Sequence, residues 1–208
     1  ILSSGFRSSF FITDYFVIFK NIFRNPNTDS GEYLPDVRIK VIGIGGAGGN
    51  AVGRLTTQNV SNIELLAFNT DIQALRSLTN VATFALGPET TGGMGSGGRP
   101  EVGRRSVKES MDQVSTLLQS SDMVFITAGM GGGTGTGAAP LVAEVAKKQG
   151  ALTIAVVTTP FSFEGRKRLR VALQGIEELR IHTDTLLVIP NERLLDATTQ
   201  NTSLLDAF

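Results

Sequence analysis

Three glycine-rich stretches hold the residues of this 208-residue sequence whose types and spacing could do chemistry. The first, GIGGAGGNAVGRL at 43–55, contains Gly43-x-Gly45-x-x-Gly48, a spacing that lets the chain turn tightly and present free N–H groups to a phosphate at a helix N-terminus. Asp71 lies 23 residues after Gly48, close to where a dinucleotide fold places its ribose-binding acid. The second, GPETTGGMGSGGRPEVG at 87–103, leads into Pro100, a favoured first residue of a helix, and its glycines leave N–H groups free to face an anion. The third, GMGGGTGTGAAP at 129–140, sets Thr134 and Thr136 among glycines that let backbone and hydroxyls approach a charged group without Cβ clashes.

The rest of the composition narrows the chemistry. There are no cysteines, and His182 is the single histidine, so thiolate metal sites and disulfides are excluded and no histidine cluster exists. Lys+Arg and Asp+Glu balance at 19 each, which gives no net field for nucleic acid or an anionic membrane. No GxxxxGK[ST] occurs, so the ordinary P-loop is absent. Phosphate charge would have to be met by helix dipoles, backbone N–H groups and Mg²⁺ held through the phosphates themselves.

Positioning such loops requires strands that end in them. Six apolar runs, at 37–44, 63–68, 81–86, 123–128, 152–158 and 185–189, alternate with helical periods. Val107, Met111, Val114 and Leu118 form one helical stripe, and Leu141, Val142, Val145 and Ala146 form another that Gly150 stops. The pattern predicts an α/β domain with a Rossmann-like, doubly wound, mostly parallel sheet and helices on both faces, binding its ligand at the strand carboxyl ends. Of 24 glycines, six fall in 43–53 and thirteen in 87–137, which marks specific loops rather than a linker.

Residues 1–36 hold six Phe before position 24 but no apolar run of spanning length, and read as a variable extension, with membrane-surface or partner docking as the rival reading. SLLD at 203–206 is a capping box that predicts a helix opening just before Phe208, so the sequence reads as a fragment.

Taken in order, GIGGAGGNAV, FNTDIQAL, GSGGRPEVG, GGGTGTG, TTPFSFEGRKR, VIPNERLL and SLLDAF resemble the tubulin/FtsZ superfamily, in its bacterial branch, over residues 38–208. The resemblance implies a GTP-binding domain over 37–202 followed by the start of a central helix at 203–208. It implies a head-to-tail homopolymer that forms a division ring, with hydrolysis completed at the subunit interface. The cellular place implied is the cytoplasmic division site, or a plastid stroma. Carried over by position, Gly46, Ala47, Gly48, Gly49 and Asn50 would hold the diphosphate, Asn69 and Asp71 would flank the nucleotide, and Ser96 and Gly97 would sense the γ-phosphate. Gly133, Thr134 and Gly135 would contact the phosphates, Glu164 the ribose, Arg168 the nucleotide, Asn191 the guanine and Phe208 the base face. The water-positioning acidic loop of the family, and the tail that binds division proteins and membrane tethers, would both come after Phe208. No catalytic residue and no metal ligand is therefore expected within the chain, and no nucleic-acid partner is implied.

Other readings of the same residues stay open at this stage. A nicotinamide oxidoreductase would use Gly43, Gly45, Gly48 and Asp71, and a non-enzymatic nucleotide-gated scaffold would bind without turnover. Glu164 and Arg168 could be a surface pair at i, i+4 on a helix opening at Glu164, and Asn191 could cap the helix after it.

Overall fold

The computed structural model describes residues 37–55 and 63–192. The Phe-rich extension, the SLLD capping box and Phe208 lie outside the described residues. The described chain runs β1 (Ile39–Ile44), α1 (Gly45–Leu55), β2 (Ile63–Asn69), α2 (Ile72–Arg76), β3 (Ala82–Ala85), α3 (Pro88–Thr91), α4 (Pro100–Glu109), α5 (Met111–Leu118) and β4 (Met123–Gly129). It continues through α6 (Thr134–Lys148), β5 (Leu152–Thr159), a 3₁₀ turn at Ser162–Glu164, α7 (Arg166–Ile181) and β6 (Thr185–Pro190). All six expected strands are present, with ends displaced by two residues at most.

The strands form one parallel sheet in the order β3-β2-β1-β4-β5-β6. That order reverses between β1 and β4, the switch point at which a doubly wound sheet opens a crevice beyond its carboxyl ends. Because every strand is parallel, all six carboxyl ends lie along one edge.

Alternation along the strands separates the two faces. Ile42, Ile44, Leu66, Phe68, Val124 and Ile126 join one core cluster with Val107 and Val114 of α4 and α5, Ala139 and Val142 of α6, and Ile176 and Leu179 of α7. Gly43 points to the other face, where Val52 of α1 sits against it. Helices thus cover both faces, and strands buried on two sides need no polar alternation. No helix among the described residues is long and apolar enough to cross a membrane.

Three local expectations are corrected. The stripe from Val107 to Leu118 is two helices, broken at Ser110, rather than one. The break has a purpose: Ser110 Oγ accepts the Gly87 N–H at 3.0 Å, and the Glu109 carboxylate accepts N–H groups of Glu89 and Thr90, both at 2.9 Å, capping α3. The third glycine stretch is only partly a loop, since α6 already begins at Thr134 and takes in Gly135 and Gly137. Glycine weakens a helix by up to about 1 kcal/mol relative to alanine. Here contact overrides propensity: a Cβ on Gly135 would lie 2.5 Å from Gly129 O, and one on Gly137 2.0 Å from Pro100 O. Finally, the helix expected to open at Glu164 opens at Arg166, after Glu164 has closed the 3₁₀ turn.

Candidate functional site

The edge of strand carboxyl ends gathers the described candidate residues. Gly46 to Asn50 follow β1, Asn69 and Asp71 follow or end β2, Ser96 and Gly97 follow β3, Gly133 to Gly135 follow β4, Glu164 and Arg168 follow β5, and Asn191 follows β6. Phe208 lies outside the described residues.

Two helix N-termini meet at the switch point. A Cβ on Gly45, at the start of α1, would lie 3.1 Å from Gly135 N in the first turn of α6, and one on Gly129 would lie 2.8 Å from Ala47 Cβ. The first turn of each helix leaves backbone N–H groups without intrahelical partners. Helices usually place acidic side chains there, yet neither α1 nor α6 has one in its first turn. The positive ends of two dipoles therefore converge with no carboxylate to meet them, an arrangement that fits an anionic ligand.

The glycines of the site divide into two kinds. Gly48, Gly133 and Gly135 are packing residues, because a Cβ at each would fall 2.2–2.6 Å from Thr127 O, Ser96 Oγ, Arg99 N or Gly129 O. Gly46 and Gly132 face open space, with no atom within 4 Å of where a Cβ would stand. The open space at these two glycines is the candidate cradle for a ligand. Gly49 is buried in the first turns of α1, whereas Ala47 and Asn50 are exposed.

The second glycine stretch folds back onto the end of β2. Ile72 N donates to Gly93 O and Gly95 N to Thr70 O, each at 3.0 Å. Its tip reaches the third stretch through hydroxyls: Thr134 Oγ1 lies 2.7 Å from Thr70 Oγ1 and 3.0 Å from Ser96 Oγ. Thr70 gave no signal in the sequence, since one buried hydroxyl between Asn69 and Asp71 has neither period nor motif. Thr136, expected to offer its hydroxyl to the ligand, is instead turned inward. Its Oγ1 accepts the Gly131 N–H at 2.8 Å and its methyl packs where a Gly175 Cβ would be. Asp71 serves as the cap of α2, its Oδ1 accepting N–H groups of Gln73 at 2.8 Å and Ala74 at 3.2 Å. Asn69 is buried and its Oδ1 accepts the Asp71 N–H at 3.3 Å.

On the other flank, Glu164 Oε1 accepts the Phe161 N–H at 2.9 Å and its Oε2 pairs with Arg168 Nη1 at 2.5 Å. The surface-pair geometry is thus present, spanning the 3₁₀ turn and the start of α7. The same segment packs on the third stretch, since a Gly131 Cβ would lie 2.9 Å from Arg168 O. Glu192 braces the turn by accepting the Ser162 N–H, and hydrogen bonds from its own N–H and then from Ser162 hold its carboxyl below the usual range. Asn191 is 6 % exposed, and its Oδ1 is a buried acceptor with no partner. Such an atom is costly unless a ligand donor completes it. It sits three strands from β1, about 14 Å along the sheet edge at ordinary strand spacing. The edge therefore suits an elongated ligand with anionic groups at the switch point and a hydrogen-bond donor near β6.

Among the described residues no three His, Cys, Asp or Glu side chains converge on a metal position.

Comparison with known proteins places the chain in a family. The family model described as the Tubulin/FtsZ family, GTPase domain, matches residues 38–199. The chain is 54 % identical over 170 residues to the cell division protein FtsZ of Pseudomonas aeruginosa, covering 82 % of this chain and 43 % of that protein. It is 51 % identical over 170 residues to FtsZ of Buchnera aphidicola, covering 82 % and 44 %. Among solved structures it is similar to an empty FtsZ dimer of M. jannaschii, with a TM-score of 0.78, 42 % identity, and coverage of 93 % of this chain and 53 % of that one. The chain spans less than half the length of these curated relatives.

Proposed function

The chain belongs to the Tubulin/FtsZ family, and from that premise we propose that it binds GTP at the carboxyl edge of its sheet and contributes the nucleotide-bearing face of a self-assembling division GTPase. One observation carries the reading: the N-termini of α1 and α6 converge at the switch point, free of acidic side chains, with the open cradle of Gly46 and Gly132 beside them. In this reading the first turns of both helices hold the phosphates, with Mg²⁺ bound through the phosphate oxygens. Glu164 and Arg168 exchange their mutual pairing for the ribose and nucleotide, and the orphan acceptor of Asn191 takes a guanine N–H donor.

The nicotinamide alternative loses its support. A family of GTPase domains matches the whole described sheet, and the acid it relied on, Asp71, caps α2.

Self-association of head-to-tail type is part of the proposal, and the M. jannaschii FtsZ to which the chain is similar is a dimer. Among the described residues the partners of Asp71 and Glu164 are backbone N–H groups and Arg168. The 208-residue chain is therefore proposed to bind GTP without turning it over alone. Its place of work is the division site, in bacterial cytoplasm or plastid stroma.

The test is calorimetric titration of the chain with GTP, GDP, ATP and NADH in the presence of Mg²⁺. The reading predicts saturable binding of GTP and GDP, weaker ATP and no NADH. Binding of NADH in preference to GTP, or of no guanine nucleotide, would overturn it.

A further inference from the structure

Three buried hydroxyls join the end of β2 to the second and third glycine segments, and their protons can be counted. Thr70 is 1 % exposed, Ser96 6 % and Thr134 8 %. Thr134 Oγ1 stands between the other two, at 2.7 Å from Thr70 and 3.0 Å from Ser96. No other side-chain hydrogen bond reaches any of the three oxygens among the described residues. Each hydroxyl has one proton to give, so three protons share two contacts and one proton is left over.

Burial excludes one direction. If Ser96 donated to Thr134 and Thr134 to Thr70, the surplus proton would be on Thr70, the most enclosed of the three, leaving a buried donor unmade. With Thr70 donating to Thr134 two orders remain: Ser96 also donates to Thr134 and the surplus proton is on Thr134, or Thr134 donates to Ser96 and the surplus proton is on Ser96; an anion at Ser96 selects the second. Ser96 Oγ is lodged 2.2 Å from where a Cβ of Gly133 would stand, one residue after Gly132, at which no atom lies within 4 Å of a Cβ position. A terminal phosphate oxygen there would accept that proton, and a group with nothing but donors would not.

We infer that Thr70 is a positioning residue for the terminal phosphate: through Thr134 it orders the relay so that the Ser96 hydroxyl points its proton at the anion, which sets a preference for nucleoside triphosphate over diphosphate. The inference rests on the GTP-binding reading above. It assigns a task to a residue outside the expected contact set, and it depends on the hydroxyls at 70, 96 and 134 all being present.

The test compares GTPγS and GDP binding, with Mg²⁺, to the full 208-residue chain and to Thr70→Val, Thr70→Ser and Ser96→Ala. A hydrogen bond to a charged group is worth about tenfold or more in affinity. Thr70→Val and Ser96→Ala are therefore expected to weaken GTPγS about tenfold while leaving GDP within about twofold, and Thr70→Ser to restore the wild-type ratio. The double variant should be no worse than Ser96→Ala, because both act on one relay. Equal weakening of both nucleotides by Thr70→Val, with no rescue by Thr70→Ser, would show a merely structural residue and overturn the inference, as would an unchanged ratio. If Thr70→Val does not fold, Thr70→Ala, which also removes the hydroxyl, carries the same comparison with the same refuting result. A wild-type chain that binds neither nucleotide overturns the GTP reading itself, and is told apart from failure of the relay by that control.

Discussion

The two kinds of glycine in the site make opposed predictions for the same substitution. In Gly137→Ala the new Cβ would lie 2.0 Å from Pro100 O and 2.9 Å from Arg104 N. Ordinary contact requires about 1.4 Å more, so α4 and α6 would have to part. They cannot part freely, because a Cβ-free approach also holds Gly103 of α4 at Gly133 O, and the Arg104 guanidinium pairs with Glu178 of α7. Overpacking of this kind costs about 1–3 kcal/mol or more. At about 2–4 °C per kcal/mol for a domain of this size, the melting temperature should fall by roughly 2–12 °C. Gly46→Ala meets no atom within 4 Å and sits in the first turn of α1. Alanine favours the helix by up to about 1 kcal/mol, so melting should stay level or rise by a few degrees. Its methyl group nevertheless occupies the cradle, and GTP affinity should fall at least about tenfold. Differential scanning calorimetry of the free chain and titration with GTP measure the two quantities separately. The reasoning is refuted if Gly137→Ala melts within a degree of wild type, or if Gly46→Ala binds GTP as tightly as wild type.

Asn191→Ala removes an acceptor that has no partner in the free chain, so the unfolding free energy should change by no more than about 1 kcal/mol while discrimination of GTP from ATP drops; an unchanged GTP/ATP ratio in competition titrations would contradict the guanine contact. Glu109 caps α3, and its carboxyl is held low first by the Thr90 hydroxyl and then by the Glu89 N–H. A depressed folded value means that its stabilisation is present above the ordinary glutamate range and is lost as pH falls through the lowered value. Glu109→Gln should therefore melt below wild type at pH 7 and converge with it under strongly acid conditions; a constant gap across pH would refute this. Phosphate release from GTP under single-turnover conditions should be absent for the 208-residue chain, and measurable release would overturn the proposal that it binds GTP without turning it over alone.

Much of this fold is legible because its signals are local. Each strand is an apolar run flanked by glycine or polar residues, and each end falls within two residues of its run. The break at Ser110 was not legible, because the period from Val107 to Leu118 is continuous and the cause, Gly87 docking on Ser110 Oγ, is 23 residues away. The same holds for the start of α6. Glycine propensity argues for a loop at 133–137, and only the carbonyls of Gly129 and Pro100 make Gly135 and Gly137 necessary in a helix. Within the site, motif spacing found the segments but not the work of individual atoms. Thr134 and Thr136 are alike in sequence, yet one joins the hydroxyl relay and the other closes its own loop on Gly131. Thr70 had no sequence signal at all.

The central claim is that the free N–H groups at the starts of α1 and α6 hold the phosphates. Amide hydrogen exchange, read residue by residue with and without GTP, tests it most directly. The account predicts protection on GTP binding at Gly45–Ala47 and at Gly132–Gly135, with little change along β3. Binding of GTP with exchange at both segments unchanged, and protection appearing elsewhere, would contradict it.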